Sequence, residues 1–152
     1  MSLTNGVREN PSRIVDRYLS RYDIDPNLGQ NFLTDPSPIH KSIRAACDLG
    51  LGNDSHVLEI GPGPGVLTIE LLRLGTKVTA IEISPDACDF LESEFNYEHF
   101  NIFNEDALKS QWPTDITHIV ANIPYSISSP ILERIQDLSL IHISEPTRPV
   151  TI

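Results

Sequence analysis

Basic side chains are scarce in this sequence: 11 Lys and Arg stand against 21 Asp and Glu, a formal net charge of −10 over 152 residues. Phosphate contacts need a basic surface, so this balance argues against a free-standing nucleic-acid binder. A nucleic-acid role then requires a basic surface in a part of the protein outside this chain, or a source that lives in salt. Cysteine is equally sparse. Cys47 and Cys88 fall in separate expected helices with no C-x-x-C spacing, so both are read as reduced thiols, in the core or half-buried. The five histidines, at 40, 56, 99, 118 and 142, show no ligand spacing, and no metal is expected. No apolar run approaches membrane-spanning length, and the N-terminus MSLTNGVRENPSRIVDRY has no apolar core segment of a signal peptide. No membrane partner and a cytoplasmic location follow as expectations. The length allows one domain with a sizeable core and is short for two.

What the chain does have is VLEIGPGPG. Val57, Leu58 and Ile60 form the short apolar run of a strand buried on both faces, and Gly61, Gly63 and Gly65 follow at alternate positions. Apolar residues then recur at helical spacing through VLTIELLRLG and stop at Gly75, a left-handed cap. The loop is therefore expected to open a helix and to offer backbone N–H groups at its positive end. The dinucleotide fingerprint G-x-G-x-x-G fails, because Val66 occupies the third glycine position. A second strand, Lys77 to Ile83, carries Glu82 near its end, twenty-one positions after Gly61. An acid there is placed to accept hydrogen bonds from both ribose hydroxyls of an adenine nucleoside.

Upstream, Ser12 is expected to cap a short amphipathic helix with Ile14, Val15, Tyr18, Leu19 and Tyr22 on one side. Arg13, Arg17 and Arg21 on another side read as a solvated face paired with Asp16 and Glu9, with a phosphate-contacting stripe as the alternative. Asp35 and Pro36 start a helix whose Ile39, Ile43, Ala46 and Cys47 face the core, ending at Gly50. The segment between, Gly29 to Leu33, reads only as a loop. Downstream, Ser84 and Pro85 begin another helix, with Ala87, Cys88, Leu91 and Phe95 on its apolar side. Phe100, Ile102 and Phe103 mark a third strand, leading into a turn at Asn104 to Ala107 where an acid and a backbone N–H can both face a ligand. Ile116 to Ala121 is a fourth strand, followed by Asn122-Ile123-Pro124-Tyr125 and a helix beginning at Pro130. Alternating strands and helices predict a doubly wound parallel α/β sheet, Rossmann-like, with every motif in loops at one edge.

The turn after the fourth strand carries specific chemistry. An exocyclic adenine amine is a poor nucleophile because its lone pair is delocalised into the ring. Two acceptors aimed at its hydrogens localise that pair, and the Asn122 side-chain oxygen with the carbonyl of Ile123 or Pro124 can supply them. Tyr125 offers a flat face for an extruded base.

Taken together, EIGPGPG, the acid in IEI, the NEDA turn and NIPYSISSP, preceded by GQNFL, resemble the ribosomal-RNA adenine N6-dimethyltransferases. The resemblance covers about Gly29 to Ile135 and is nearer to the archaeal and eukaryotic branch than to the bacterial one. It implies a class I methyltransferase fold and S-adenosylmethionine as cofactor. Asn31, Leu33, Gly61, Glu82, Asp106 and Asn122 would line the cofactor site, with Gln30, Gly63 and Ala107 as neighbours. Asn122, Pro124 and Tyr125 would hold the target adenine for in-line attack of its N6 on the sulfonium methyl group. The implied substrate is a pair of adjacent adenosines near the 3′ end of small-subunit rRNA, dimethylated during assembly of a pre-30S-type particle.

Three regions are expected: an extension over 1–28, an incomplete cofactor-binding domain over 29–136, and a tail over 137–152 that does not fit the family. The tail, DLSLIHISEPTRPVTI, reads as translated adapter or cloning sequence. The sheet is then expected to stop after about the fourth strand and leave it as an exposed apolar edge, with little or no activity in this chain. Two other classes compete: a non-catalytic RNA-docking ribosome-assembly or transcription factor on the same fold, and a nicotinamide-dependent oxidoreductase. Asn122, Pro124 and Tyr125 argue against the first, and the missing fingerprint glycine against the second.

Overall fold

The computed structural model describes residues 10–23, 36–121, 125–141 and 148–151. Five parallel strands lie in the order β3-β2-β1-β4-β5: β1 is His56–Ile60, β2 Lys77–Glu82, β3 Phe100–Asn104, β4 His118–Ala121 and β5 Arg148–Thr151. The order reverses between β1 and β4, the position where a doubly wound sheet opens a crevice at its C-terminal edge. The apolar run expected for β1 is buried along its whole length.

Alternate strand residues feed two cores. Val57, Val78, Ala80 and Val120 point to one face, where they meet α1 (Pro11–Arg21), α2 (Pro36–Asp48), α3 (Thr68–Arg73) and α4 (Pro85–Glu94). Leu58, Ile60, Ile81, Ile119 and Ala121 point to the other, where Ile131 and Ile135 of α5 (Tyr125–Ile141) and Trp112 cover them. The period-two alternation of each strand thus supplies both layers.

Several local expectations stand. The Ser84 side chain caps α4 by accepting the Ala87 N–H, and Gly75 at φ +77° follows α3. Others are corrected. The cap of α1 is Asn10, whose side chain accepts the Ser12 N–H; Pro11 takes the first helical position, and Ser12 lies one residue inside. The arginine face is not simply solvated: Arg17 pairs with Glu94 of α4, and Arg21 lies 5.5 Å from the Phe90 ring centre. Tyr18 meets the same Phe90 edge-on at 5.4 Å, so α1 is fastened to α4 by rings and charge together. In α2, Ile39 and Ala46 are buried as expected but Cys47 is exposed, because the helix turns only a narrow stripe inward. Cys88 is buried, and burial, with the neighbouring Glu82 charge, pushes its thiol up to about 12. Asp35, Glu9 and Gly29 to Leu33 lie outside the described residues.

The end of the chain departs most from expectation. Helix α5 starts at Tyr125, five residues before Pro130, which is internal to it. A single proline there forfeits one intrahelical bond, which the remaining turns and the buried Ile131 and Ile135 offset. The helix also runs past Asp137 without a break, to Ile141. Strand β4 is not an edge: β5 pairs with it over its full length, His118 opposite Arg148 through Ala121 opposite Thr151. Strand pairing is made by backbone groups, so even a Pro-containing segment can cover an edge, provided it is itself outermost.

Two histidines are explained at the far end of the sheet. His56 is held between Asp115 at 2.9 Å and Thr79 Oγ1 at 2.8 Å, and His118 between Thr117 Oγ1 at 2.8 Å and the Leu49 carbonyl at 3.1 Å. Both start their strands, opposite the edge that carries the motifs.

Candidate functional site

The C-terminal tips of β1, β2 and β3 lie side by side and bring Gly61, Gly63, Glu82, Asp106 and Ala107 to one edge of the sheet. Gly61 is tied to β2 by its N–H to the Ile81 carbonyl at 3.0 Å. Gly63, at φ +56°, then turns its N–H toward β2, where Glu82 Oε1 accepts it at 2.9 Å. A side chain at that φ is strained, so a glycine here lets the loop fold back on the acid.

Glu82 is the joint of the site. Its Oε2 accepts the Ser84 N–H at 2.9 Å, so one carboxylate binds the glycine loop and the start of α4 together. Burial raises its pKa, and the N–H donors of Ser84, Gly63 and Ile83 oppose that rise. A carboxylate has about four acceptor positions, so with these three N–H donors about one remains for a ligand hydroxyl. The helix expected to open directly from the loop does not. α3 begins only at Thr68 and is six residues long, so the N–H groups come from the loop itself and not from a helix end.

The end of β3 is locked to β2 by Asn104, whose Nδ2 donates to the Glu82 and Ile83 carbonyls at 3.0 and 3.1 Å. Asp106 then folds the chain over: its Oδ1 accepts the Leu108 N–H at 2.9 Å, and its carbonyl accepts from Lys109 and Ser110 at 3.0 and 2.8 Å. Ala107 is buried beneath, and its carbonyl accepts the Trp112 indole N–H at 3.1 Å. The expected turn is present, with the acid used partly to hold the turn itself.

Glu59 was not among the residues singled out from the sequence. It is the next-to-last residue of β1, 2% exposed, and its Oε1 accepts the Thr68 hydroxyl at 2.6 Å. Burial pushes its pKa up to about 7; the Thr68 bond works against this, and the Glu82 charge adds to it. An acid inside the apolar run VLEI was the available signal, since a strand buried on both faces rarely carries one without a purpose.

Asn122, Ile123 and Pro124 lie outside the described residues, as do Gln30, Asn31 and Leu33. Tyr125 is the first residue of α5, four positions after the end of β4. Among the described residues no three His, Cys, Asp or Glu side chains are grouped to hold a metal, and no helix is long and apolar enough to cross a membrane.

A glycine loop, a buried acid and an acid-bearing turn thus lie on adjacent strand tips, at the edge where doubly wound sheets take their ligands. The comparisons agree with that geometry. The chain is 41% identical over 115 residues to a probable ribosomal RNA small subunit methyltransferase A of Pyrococcus furiosus, covering 74% of this chain and 41% of the relative. A dimethyladenosine transferase from Plasmodium falciparum superposes with a TM-score of 0.63 at 32% identity, over 70% of this chain and 38% of the other. The 23S rRNA methyltransferase ErmE superposes with a TM-score of 0.61, also at 32% identity, over 80% of this chain and 45% of the other. The chain thus spans less than half the length of each. The profile of the ribosomal RNA adenine dimethylase family matches residues 22–147, and the chain belongs to that family.

Proposed function

We propose that this chain is the cofactor-binding part of an S-adenosylmethionine-dependent rRNA adenine N6-dimethyltransferase. The observation that carries the reading is Glu82, a buried carboxylate bonded to Gly63 and Ser84 at the tip of β2. The residues fit such a cofactor: Glu82 retains an acceptor position for a ribose hydroxyl, and Asp106 and Ala107 stand on the adjacent strand tip to receive an adenine edge. Bound there, the cofactor supplies the sulfonium methyl group as electrophile. The protein's share is orientation and exclusion of water. Asn122 and the carbonyl of Ile123 or Pro124 accept the hydrogens of the target amine, and Tyr125 stacks on its ring. Adjacent adenosines near the 3′ end of small-subunit rRNA are the proposed substrate, within an assembling ribosomal particle in the cytoplasm.

The acidic balance of the chain supports placing the RNA-holding surface elsewhere in the parent protein, as does coverage of only 41% of the Pyrococcus relative. The reading of residues 137–152 as foreign to the family domain is narrowed, since the family profile runs to residue 147 and Arg148–Thr151 pairs with β4. On immature small subunits the chain alone is therefore expected to give little or no methyl transfer. Full turnover by the purified chain would refute that part of the reading.

Cofactor choice is tested directly by calorimetry. S-adenosylhomocysteine is expected to bind and NAD is not; the reverse result overturns the assignment. Glu82→Gln keeps an acceptor for Gly63 but turns an amide N–H₂ toward the Ser84 N–H and the ribose. It is expected to weaken S-adenosylhomocysteine by about a hundredfold, the scale of losing charge-assisted bonds. An unchanged affinity would remove Glu82 from the cofactor site.

A further inference from the structure

Between β3 and β4 the chain has no regular element of its own beyond the turn at Asp106 to Ser110. In a sheet of this kind a helix normally covers that crossover. Here Ala107, Trp112 and Ile116 of the segment pack into the core, and the turn itself is bonded by one side chain of α5. Arg134 donates through Nη1 to the Ala107 carbonyl and through Nη2 to the Ser110 carbonyl, spanning both ends of the turn. Its guanidinium carbon also lies 4.0 Å from the centre of the Trp112 ring, and Trp112 donates to the same Ala107 carbonyl. Ile131 and Ile135, on either side of Arg134 in α5, are anchored in the core beneath, so the arginine projects from a fixed rod. Burial lowers its pKa, the mark of a guanidinium that has traded water for these carbonyls.

We propose that Arg134 is a positioning residue for the cofactor site: by clamping Ala107 and Ser110 it sets the Asp106–Ala107 turn in the conformation that receives the cofactor adenine. The proposal rests on the cofactor reading above. Only a planar fork can reach two carbonyls while stacking on an indole, so lysine is a partial substitute here.

Two readouts on the full chain separate the clamp from its consequence. Amide hydrogen exchange reports the turn through Leu108, Lys109 and Ser110, whose N–H groups are all bonded to Asp106. In Arg134→Gln their protection is expected to collapse while the amides of β1 and β2 stay protected; unchanged protection overturns the clamp. Calorimetry with S-adenosylhomocysteine is expected to show about tenfold or greater weakening in Arg134→Gln and a smaller loss in Arg134→Lys. Lost protection with wild-type affinity overturns the positioning role. A wild-type chain that binds no S-adenosylhomocysteine but loses protection in the variant overturns the cofactor reading, and with it the positioning role, while leaving the clamp standing. Should the glutamine variant fail to fold, Arg134→Lys decides: affinity and protection both equal to wild type overturn the proposal.

Discussion

Replacing Gly65 by alanine is expected to destabilise the chain by about 2–5 kcal/mol, adding backbone strain at positive φ to the cost of overpacking. The glycine loop invites a ligand explanation for all three glycines, but Gly65 answers to packing. A Cβ built there lies 2.3 Å from Phe95 Cε2, 2.9 Å from Phe95 Cζ and 2.7 Å from Leu91 Cδ2. Leu91 and Phe95 are 0% and 5% exposed, fixed in the core between α4 and the sheet, so neither can swing away. The φ of +92° is unfavourable to alanine even with the space cleared. Against a total stability of about 5–15 kcal/mol, the loss is large enough to lower a thermal midpoint by about 10 °C or to unfold the chain. Gly52 is the control, since a Cβ there meets only Asp54 Oδ1 at 3.6 Å. Urea midpoints of Gly65→Ala and Gly52→Ala that coincide would refute the packing argument.

Glu59→Gln is expected to change the shape of the stability curve with pH. In the folded chain Glu59 titrates at about 7, against an ordinary value of 4.5, because ionising it means placing a charge inside the strand. Between those values the folded state holds a proton that the unfolded state has released. Stability from this group is therefore full below about pH 4.5, falls as pH rises, and is lost once pH passes about 7. The total fall is about 3 kcal/mol, from a shift of that size at 1.36 kcal/mol per unit. Glutamine has no proton to lose, and its carbonyl can still accept the Thr68 hydroxyl. The variant is expected to fall less steeply from pH 5 to 7 and to equal or exceed the parent at pH 8. Some slope remains, since Glu82 is raised in the same direction. Denaturant midpoints at pH 5, 6, 7 and 8 measure this, and parallel curves for the two proteins would show that Glu59 does not carry the proton.

How much of this protein is legible in its sequence depends on the range of the interaction. The strand at Val57 to Ile60, the Ser84 cap, the Gly75 stop and the parallel α/β plan were legible because each rests on patterns within about a dozen residues. Convergence of Gly61, Glu82 and Asp106 was legible too, because parallel strands joined by crossovers put all their C-terminal loops at one edge. The chemistry of individual groups was not. Glu82 could be placed at a strand tip, but its bonds to Gly63 and Ser84 depend on how closely the loop folds back. Arg17 finds Glu94 seventy-seven positions away, and Arg134 finds Ala107 twenty-seven positions away, distances over which no periodicity carries information. Cys47 and Cys88 look alike in sequence and part company only through which side of a helix meets the sheet. The pairing of β5 with β4 escaped for a related reason: backbone hydrogen bonds are indifferent to side-chain pattern. Local order and topology are written in nearest neighbours; protonation, clamping and exposure are properties of a packed interior, where the partners come from distant parts of the chain and water is no longer there to screen them.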